Sequence, residues 1–468
     1  MDNVNLHIVV FPWLAFGHLL PFTELSKRLA RYGHRVSFIS TPKNIARVFP
    51  KLPSQLSDLI NLVEFRLPIV EHLPEDVEAT IDLPSDGLRP YLRRAYDSLD
   101  HQLRLFLKTA LPSKPDWIIV DYAAHWVPAI AEEFDVPCAY FSVVNAAVLG
   151  FIGPPASLMG VSNSRTTPEQ FAELPEWVNF PTTVAYRGYE AQEIFEQEAL
   201  RDGSGVSETY RFGKTIQDCQ IVAVRSCSEF EQEWFNLLEQ IYRKPVIPVG
   251  LLPPLQRETS FEEEWKSTMN WLEKQTQRSV VFAAFGSEAK LTSAQTREIA
   301  IGLESCGLPF IWALRDSSGL PKEFKKRVDG RGEVLTGWVP QSQILAHPAI
   351  GGFLTHAGWS SIIEGLGLGL KLVLLPLVFD QGLNARHMVE KRISMEVPRD
   401  EEDGSFNGDG IAKTLRLVMV DEEGEAFRTK VEECREMFGN EELNDQCVRD
   451  FLKYLSDHKR NSDSSKMG

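Results

Sequence analysis

Apolar positions in this chain fall into short continuous runs separated by segments of helical spacing. Residues 6–12, 35–40, 62–66, 117–121, 138–142 and 221–224 are such runs, and residues 19–32 between the first two carry a helical pattern. The rhythm restarts at 279–285 and continues through 310–314, 352–355 and 371–376. Runs rich in β-branched and aromatic residues, without polar alternation, predict strands covered on both faces, as in parallel sheets. Two such series predict an α/β protein built from two doubly wound, Rossmann-like domains.

The seam between them falls in the Pro-rich stretch 244–254 and the charged segment 256–264 that follows it. The expected units are 1–250, 251–450 and a C-terminal segment 451–468 that packs back on the first unit, with residues 459–468 frayed. Residues 144–215 carry fewer strand signals and more aromatics, which suits a pocket-forming insertion or an irregular structural loop.

Charge and cysteine usage narrow the partners. The 468 residues hold 49 Lys plus Arg against 65 Asp plus Glu, a net charge of −16. Such a surface repels phosphate backbones and anionic bilayers, so no nucleic-acid partner is expected. Residues 6–22 are apolar enough to suggest a signal peptide, but Asp2 stands where a positive charge is needed and Pro12, His18 and Pro21 interrupt the run. No other run approaches a membrane span. The 6 cysteines form no CxxC pair, as expected of free thiols in a reducing compartment. A cytoplasmic, monomeric protein is expected.

Chemistry-bearing residues recur just after the strands. His18 follows the first run, Asp121 ends the fourth, and Gly286-Ser287, His356 and Asp380-Gln381 follow runs of the second series. Ligands of open parallel sheets bind beyond the carboxyl ends of the strands, so this placement predicts a cleft between the domains. Gly17 supplies a tight turn before His18, and Asp121 is a carboxylate able to orient the imidazole as a general base. A capping histidine and a strand-end aspartate fit the same residues. The run from Thr355 to Glu364 places Gly358, Trp359, Ser360 and Ser361 at a helix N-terminus suited to an anion, with Glu364 one turn on to accept from a vicinal diol. Gly365-Leu-Gly-Leu-Gly369 precedes a strand and lacks the last glycine of a dinucleotide loop; Walker A, H-E-x-x-H and G-x-S-x-G motifs are missing.

The 44 residues from Trp338 to Gln381 resemble the signature box of plant secondary-product UDP-glycosyltransferases, with Gln341, His347-Pro348, Thr355-His356, Gly358-Trp359, Ser361, Glu364, Pro376 and Asp380-Gln381 in order. The resemblance implies a GT-B fold, an inverting hexosyltransferase, and neither a metal ion nor another cofactor. It implies that 1–250 binds the acceptor and 251–450 the UDP-sugar. His18 would be the base and Asp121 its orienter. Trp338 would stack on uracil, with Val339 and Gln341 beside the nucleoside and Glu364 on the ribose. Ser287, His356 and Ser361 would hold the diphosphate, with Trp359 and Ser360 alongside. Asp380, Gln381 and Ser142 would meet the donor sugar. Ala357 and Ser360 depart from the family's usual Cys and Asn. The segments 12–18 and 180–187 are similar to the branch numbered 91, which glycosylates sugars already on flavonoids, terpenoids or steroids. UDP-glucose is the expected donor, with UDP-rhamnose the alternative, and a glycosylated hydrophobic acceptor is expected ahead of a bare aglycone. Trp13, Phe16 and Trp126 are expected to line the acceptor site, with Tyr186 and Arg187 as candidate hydroxyl partners. Rival readings are a GT-B-like epimerase or phosphorylase, against which UDP release only in the presence of an acceptor would discriminate, and a non-catalytic UDP-sugar binder, for which loss of His18 or Asp121 would be expected.

Overall fold

The computed structural model describes residues 5–50, 55–110, 114–162, 165–255 and 265–460; the charged segment 256–264 and most of the frayed end lie outside the described residues. Two parallel sheets organise the chain. The first contains β1 (His7–Phe11), β2 (Arg35–Ser40), β3 (Ile60–Glu64), β4 (Trp117–Val120), β5 (Cys138–Ser142), β6 (Ile221–Val224) and β7 (Val246–Pro248), in the order β3-β2-β1-β4-β5-β6-β7. The second contains β8 (Val280–Ala284), β9 (Phe310–Ala313), β10 (Gly332–Leu335), β11 (Ile350–Thr355), β12 (Lys371–Leu374) and β13 (Ser394–Glu396), in the order β10-β9-β8-β11-β12-β13.

Each sheet has a core on both faces, which explains the unbroken apolar runs. In β1, Val9 and Phe11 enter one core while Ile8 and Val10 enter the other. In β8, Phe282 faces one core and Val281 and Ala283 the opposite one. Successive side chains alternate between faces, so a strand buried on both sides needs apolar residues throughout.

The pattern misses β7, β10 and β13, which lie at sheet edges. Edge strands need no continuous apolar run, and β7 hides within the Pro-rich stretch, where proline is tolerated because one ladder is open. That stretch is therefore not linker throughout. Residues 144–215 contain no strand among the described residues. They form short helices, including Ala146–Ile152, Gly188–Ile194 and Glu208–Asp218. Their aromatics Phe151, Trp177, Tyr186 and Phe212 pack on the first core.

Helix Glu441–Asp457 places Val448, Phe451, Leu452 and Leu455 in a core of the first sheet, and Trp117 Nε1 donates to the Leu455 carbonyl at 2.9 Å. Its Asn444 side chain accepts from the Leu251 N–H at 2.6 Å. Among the described residues, no helix is long and apolar enough to cross a membrane, and the 6 cysteines are free thiols, five of them buried.

Candidate active site

Strand order reverses beside β1 in the first sheet and beside β8 in the second. At such switch points the two flanking crossovers run off in opposite directions and leave a crevice at the carboxyl ends of the strands. β1 pairs with β4, and Phe11 lies level with Val120, so the residues following them are neighbours. His18 stands in the first turn of helix Phe16–Arg31 after β1, and Asp121 immediately follows β4.

His18 Nδ1 and Asp121 Oδ2 are 2.9 Å apart. Asp121 is only 1% exposed, and three donors fix it. The Trp13 N–H donates to Oδ2 at 3.0 Å and the Tyr122 N–H to Oδ1 at 2.8 Å, in addition to the imidazole. Burial pulls the His18 pKa down, but the charge and hydrogen bond of Asp121 outweigh it, with Glu288 and Asp380 adding, so the value ends above the ordinary one. The Tyr122 ring lies 5.5 Å from His18 and stacks on Phe212 at 4.2 Å. Gly17 has no positive φ, and a methyl group there would meet nothing within 4 Å, so the turn does not require its glycine.

The second switch point brings together Gly286-Ser287 after β8 and His356 after β11. The His356 ring fits between two glycines: a Cβ on Gly286 would lie 2.6 Å from its Nε2, and one on Gly358 2.5 Å. Burial lowers the His356 pKa to about 4, so the ring is neutral near pH 7. In that state it can hydrogen-bond but carries no positive charge. Helix Trp359–Gly367 starts from Gly358 with no side-chain cap. Its first-turn N–H groups, which no earlier turn can satisfy, form an anion-attracting end. Ser360 and Ser361 lie in this turn. One turn on, Glu364 Oε2 accepts from Gln341 Nε2 at 3.0 Å, so the two residues expected at a nucleoside are joined. Val339 packs at the edge of the core, while Trp338 is 69% exposed beside the Phe16 ring.

Several expected contacts are corrected. Ser142 is wholly buried and donates to the Val144 carbonyl at 3.0 Å, closing the turn after β5 instead of facing a sugar. The Trp359 indole is buried and its N–H donates to the Arg225 carbonyl at 2.7 Å, so it wedges the two sheets together. Gln381 Oε1 accepts from the Leu377 and Val378 N–H groups at 2.9 and 3.0 Å; without it that turn would have two orphaned donors. The Trp13 ring is buried edge-on against Tyr96, so its contribution is the backbone N–H. Phe16 lies 6.1 Å from Trp338 and close to Arg47, away from the other expected acceptor residues. Trp126 stays half-buried against Phe11 and Tyr96. Tyr186 is buried edge-on to Phe151, and Arg187 pairs with Glu396 of the second sheet, so neither is open to a ligand.

Other side chains escaped the sequence pattern. Asn145 Nδ2 donates to Asn384 Oδ1 at 2.9 Å, and Asn384 Nδ2 donates to Asp380 Oδ2 at 2.8 Å and to the Ala357 carbonyl at 3.1 Å. This amide chain links the first unit to the Asp380 carboxylate, whose pKa burial raises against the opposing pull of Asn384 and His18. Glu288 accepts from Thr80 Oγ1 at 2.8 Å and faces Arg89. Glu198 is pushed up to about 7, first by burial and then by the charge of Glu208, against Arg93 and Arg89. Arg225 follows β6 and reaches Ser360 Oγ at 2.6 Å. Long-range packing assembled these partners, and no local spacing marks them. Among the described residues, no group of three or more His, Cys, Asp or Glu is arranged to hold a metal ion.

Comparison with known proteins identifies the family. The profile of the family described as "UDP-glucoronosyl and UDP-glucosyl transferase" matches residues 259–423. UDP-glycosyltransferase 91C1 of Arabidopsis thaliana is 45% identical, over 98% of each chain. Soyasaponin III rhamnosyltransferase of Glycine max is 40% identical, over 98% of this chain and 97% of its own. The structure of Medicago truncatula UGT71G1 with UDP-glucose superposes with a TM-score of 0.76 at 23% identity, over 97% of this chain and 99% of that one, and so speaks for a shared GT-B fold. The two switch-point crevices, the Trp338 to Gln381 segment and near-full-length similarity converge on one conclusion: the chain belongs to the plant UDP-glycosyltransferase family and is similar to its 91 branch.

Proposed function

We propose that this glycosyltransferase moves a hexose, glucose from UDP-glucose, to a hydroxyl of a sugar already attached to a plant secondary metabolite, with inversion. The observation that carries the reading is the His18–Asp121 pair, 2.9 Å apart at one switch point, in a fold whose other switch point carries an uncapped helix N-terminus. Asp121 accepts from Nδ1, which leaves the Nε2 lone pair for the acceptor proton. As that proton moves to Nε2, the acceptor oxygen bonds to the anomeric carbon opposite UDP. The bond from that carbon to the diphosphate breaks, and its electron pair leaves with UDP. An α-linked donor thus gives a β-glycoside. The N–H groups of helix Trp359–Gly367 and the hydroxyls of Ser287, Ser360 and Ser361 meet the growing negative charge. Trp338 covers uracil, Glu364 with Gln341 holds the ribose, and Asp380 receives the donor sugar.

The surroundings of the base favour a glycosylated acceptor. Glu288 and Asp380 act on His18 electrostatically, and Glu198 lies within the field of Asp380. Carboxyl groups beside the base suit a polyhydroxylated substrate, because each sugar hydroxyl buried without a partner costs about 1–3 kcal/mol. Turnover of UDP-glucose and UDP-rhamnose with matched aglycone and monoglucoside pairs of flavonoids, diterpenoids and triterpenoids, read by product mass and NMR linkage, tests the proposal. Transfer to the attached sugar from UDP-glucose supports it. Efficient transfer to aglycones alone, or from UDP-rhamnose alone, replaces it with the corresponding alternative.

A further inference from the structure

Behind the N-terminus of helix Trp359–Gly367 lies a buried guanidinium supplied by the first sheet. Arg225 follows β6, is 3% exposed, and crosses the boundary between the two units. Its Nε donates to the Leu251 carbonyl at 2.9 Å, Nη2 to the Leu252 carbonyl at 3.3 Å, and Nη1 to Ser360 Oγ at 2.6 Å. Trp359 Nε1 donates to the Arg225 carbonyl at 2.7 Å, which locks the strand end against the helix N-terminus. Glu364, one helical turn beyond Ser360, is the main favourable charge acting on the guanidinium.

We infer that Arg225 is a positioning residue for the nucleotide diphosphate, acting through Ser360. A guanidinium has only donors, so the Ser360 oxygen must accept from it. That bond orients the hydroxyl and leaves its own O–H to donate outward, beside the first-turn N–H groups of the helix. The guanidinium also polarises this O–H and sets a fixed positive charge behind the N-terminus, in a buried setting where water screens it weakly. Burial lowers the Arg225 pKa only to about 10, so the charge persists at neutral pH. Ser360 stands where the resembling family usually has Asn; an Arg behind a hydroxyl provides a donor there by another route.

The inference rests on reading this cleft as the nucleotide site, and titration calorimetry with UDP and with uridine separates the two questions. Arg225→Met and Ser360→Ala should each weaken UDP about tenfold or more, the scale of one hydrogen bond to a charged group. Uridine, which lacks the diphosphate, should change less than about twofold. The double variant should be no weaker than the worse single one, because the two residues act as one unit. Unchanged UDP affinity in Ser360→Ala, or equal losses of UDP and uridine in both variants, overturns the inference. Should Arg225→Met not fold, Arg225→Gln, which removes the charge but keeps a polar side chain, is titrated in its place with the same two readings. Failure of the unmodified enzyme to bind either ligand refutes the nucleotide-site reading instead.

Discussion

At the scale of single residues, the proposed chemistry rests on one imidazole held by one carboxylate. His18→Ala should lower kcat by about 10²–10⁴, the usual contribution of a general base, with UDP affinity unchanged; near-native kcat would remove His18 from that role. Asp121→Asn gives a second, independent reading through pH. The Asp121 charge raises the His18 pKa, and the base must be neutral to act, so kcat/KM should fall with acidification through a midpoint above the ordinary value of about 6.5. Removing the charge leaves burial dominant, so in Asp121→Asn the midpoint should move to lower pH while kcat drops; a midpoint that stays put refutes the coupling. The pairing of His18 with Asp121 was legible in the sequence because each follows a strand, whereas the joining of Gln341 to Glu364 was not. The turns of Ser142 and Trp359 were not legible either, for a physical reason: position near a cleft does not reveal which way a side chain points, and each satisfies a backbone group.

At the scale of elements, the second wall depends on backbone conformation as much as on side chains. Gly286 has φ +72° and lies against the His356 ring. Gly286→Ala adds left-handed strain of about 1–2 kcal/mol together with a Cβ 2.6 Å from Nε2. The variant should lose UDP affinity and melt several degrees lower; an unchanged UDP titration would show that the ring can yield. Ala357 and Phe379 also hold positive φ, at +65° and +54°, flanking the helix N-terminus and Asp380 respectively. Because the proposed mechanism meets the diphosphate with backbone N–H groups and hydroxyls, turnover should persist in excess EDTA. A dialysed enzyme active only after Mg²⁺ or Mn²⁺ is restored would sink that expectation. Interior strands were legible through their unbroken apolar runs, whereas β7, β10 and β13 were not, since an edge strand needs burial on fewer sides.

At the scale of the whole molecule, the two units meet through buried polar links that no local pattern foretells. Asn145 reaches Asn384, and Glu231 lies 3.3 Å from His387. Helix Glu441–Asp457 then carries the chain back to the first sheet. Backbone therefore passes between the units twice, and any opening of the cleft is a rotation restrained at two points. The same return also orders events during synthesis. The first unit emerges from the ribosome with Ile8, Phe22 and Trp117 lacking the neighbours that Phe451 and Leu455 bring, and it cannot complete its core until the second unit has been made. A chain stopped at residue 440 should accordingly expose its first unit to protease and lose the cooperative melt, while retention of full protease resistance would mean that the first core closes unaided. The first core thus comes into being late, and the nascent chain must stay soluble until its final helix arrives.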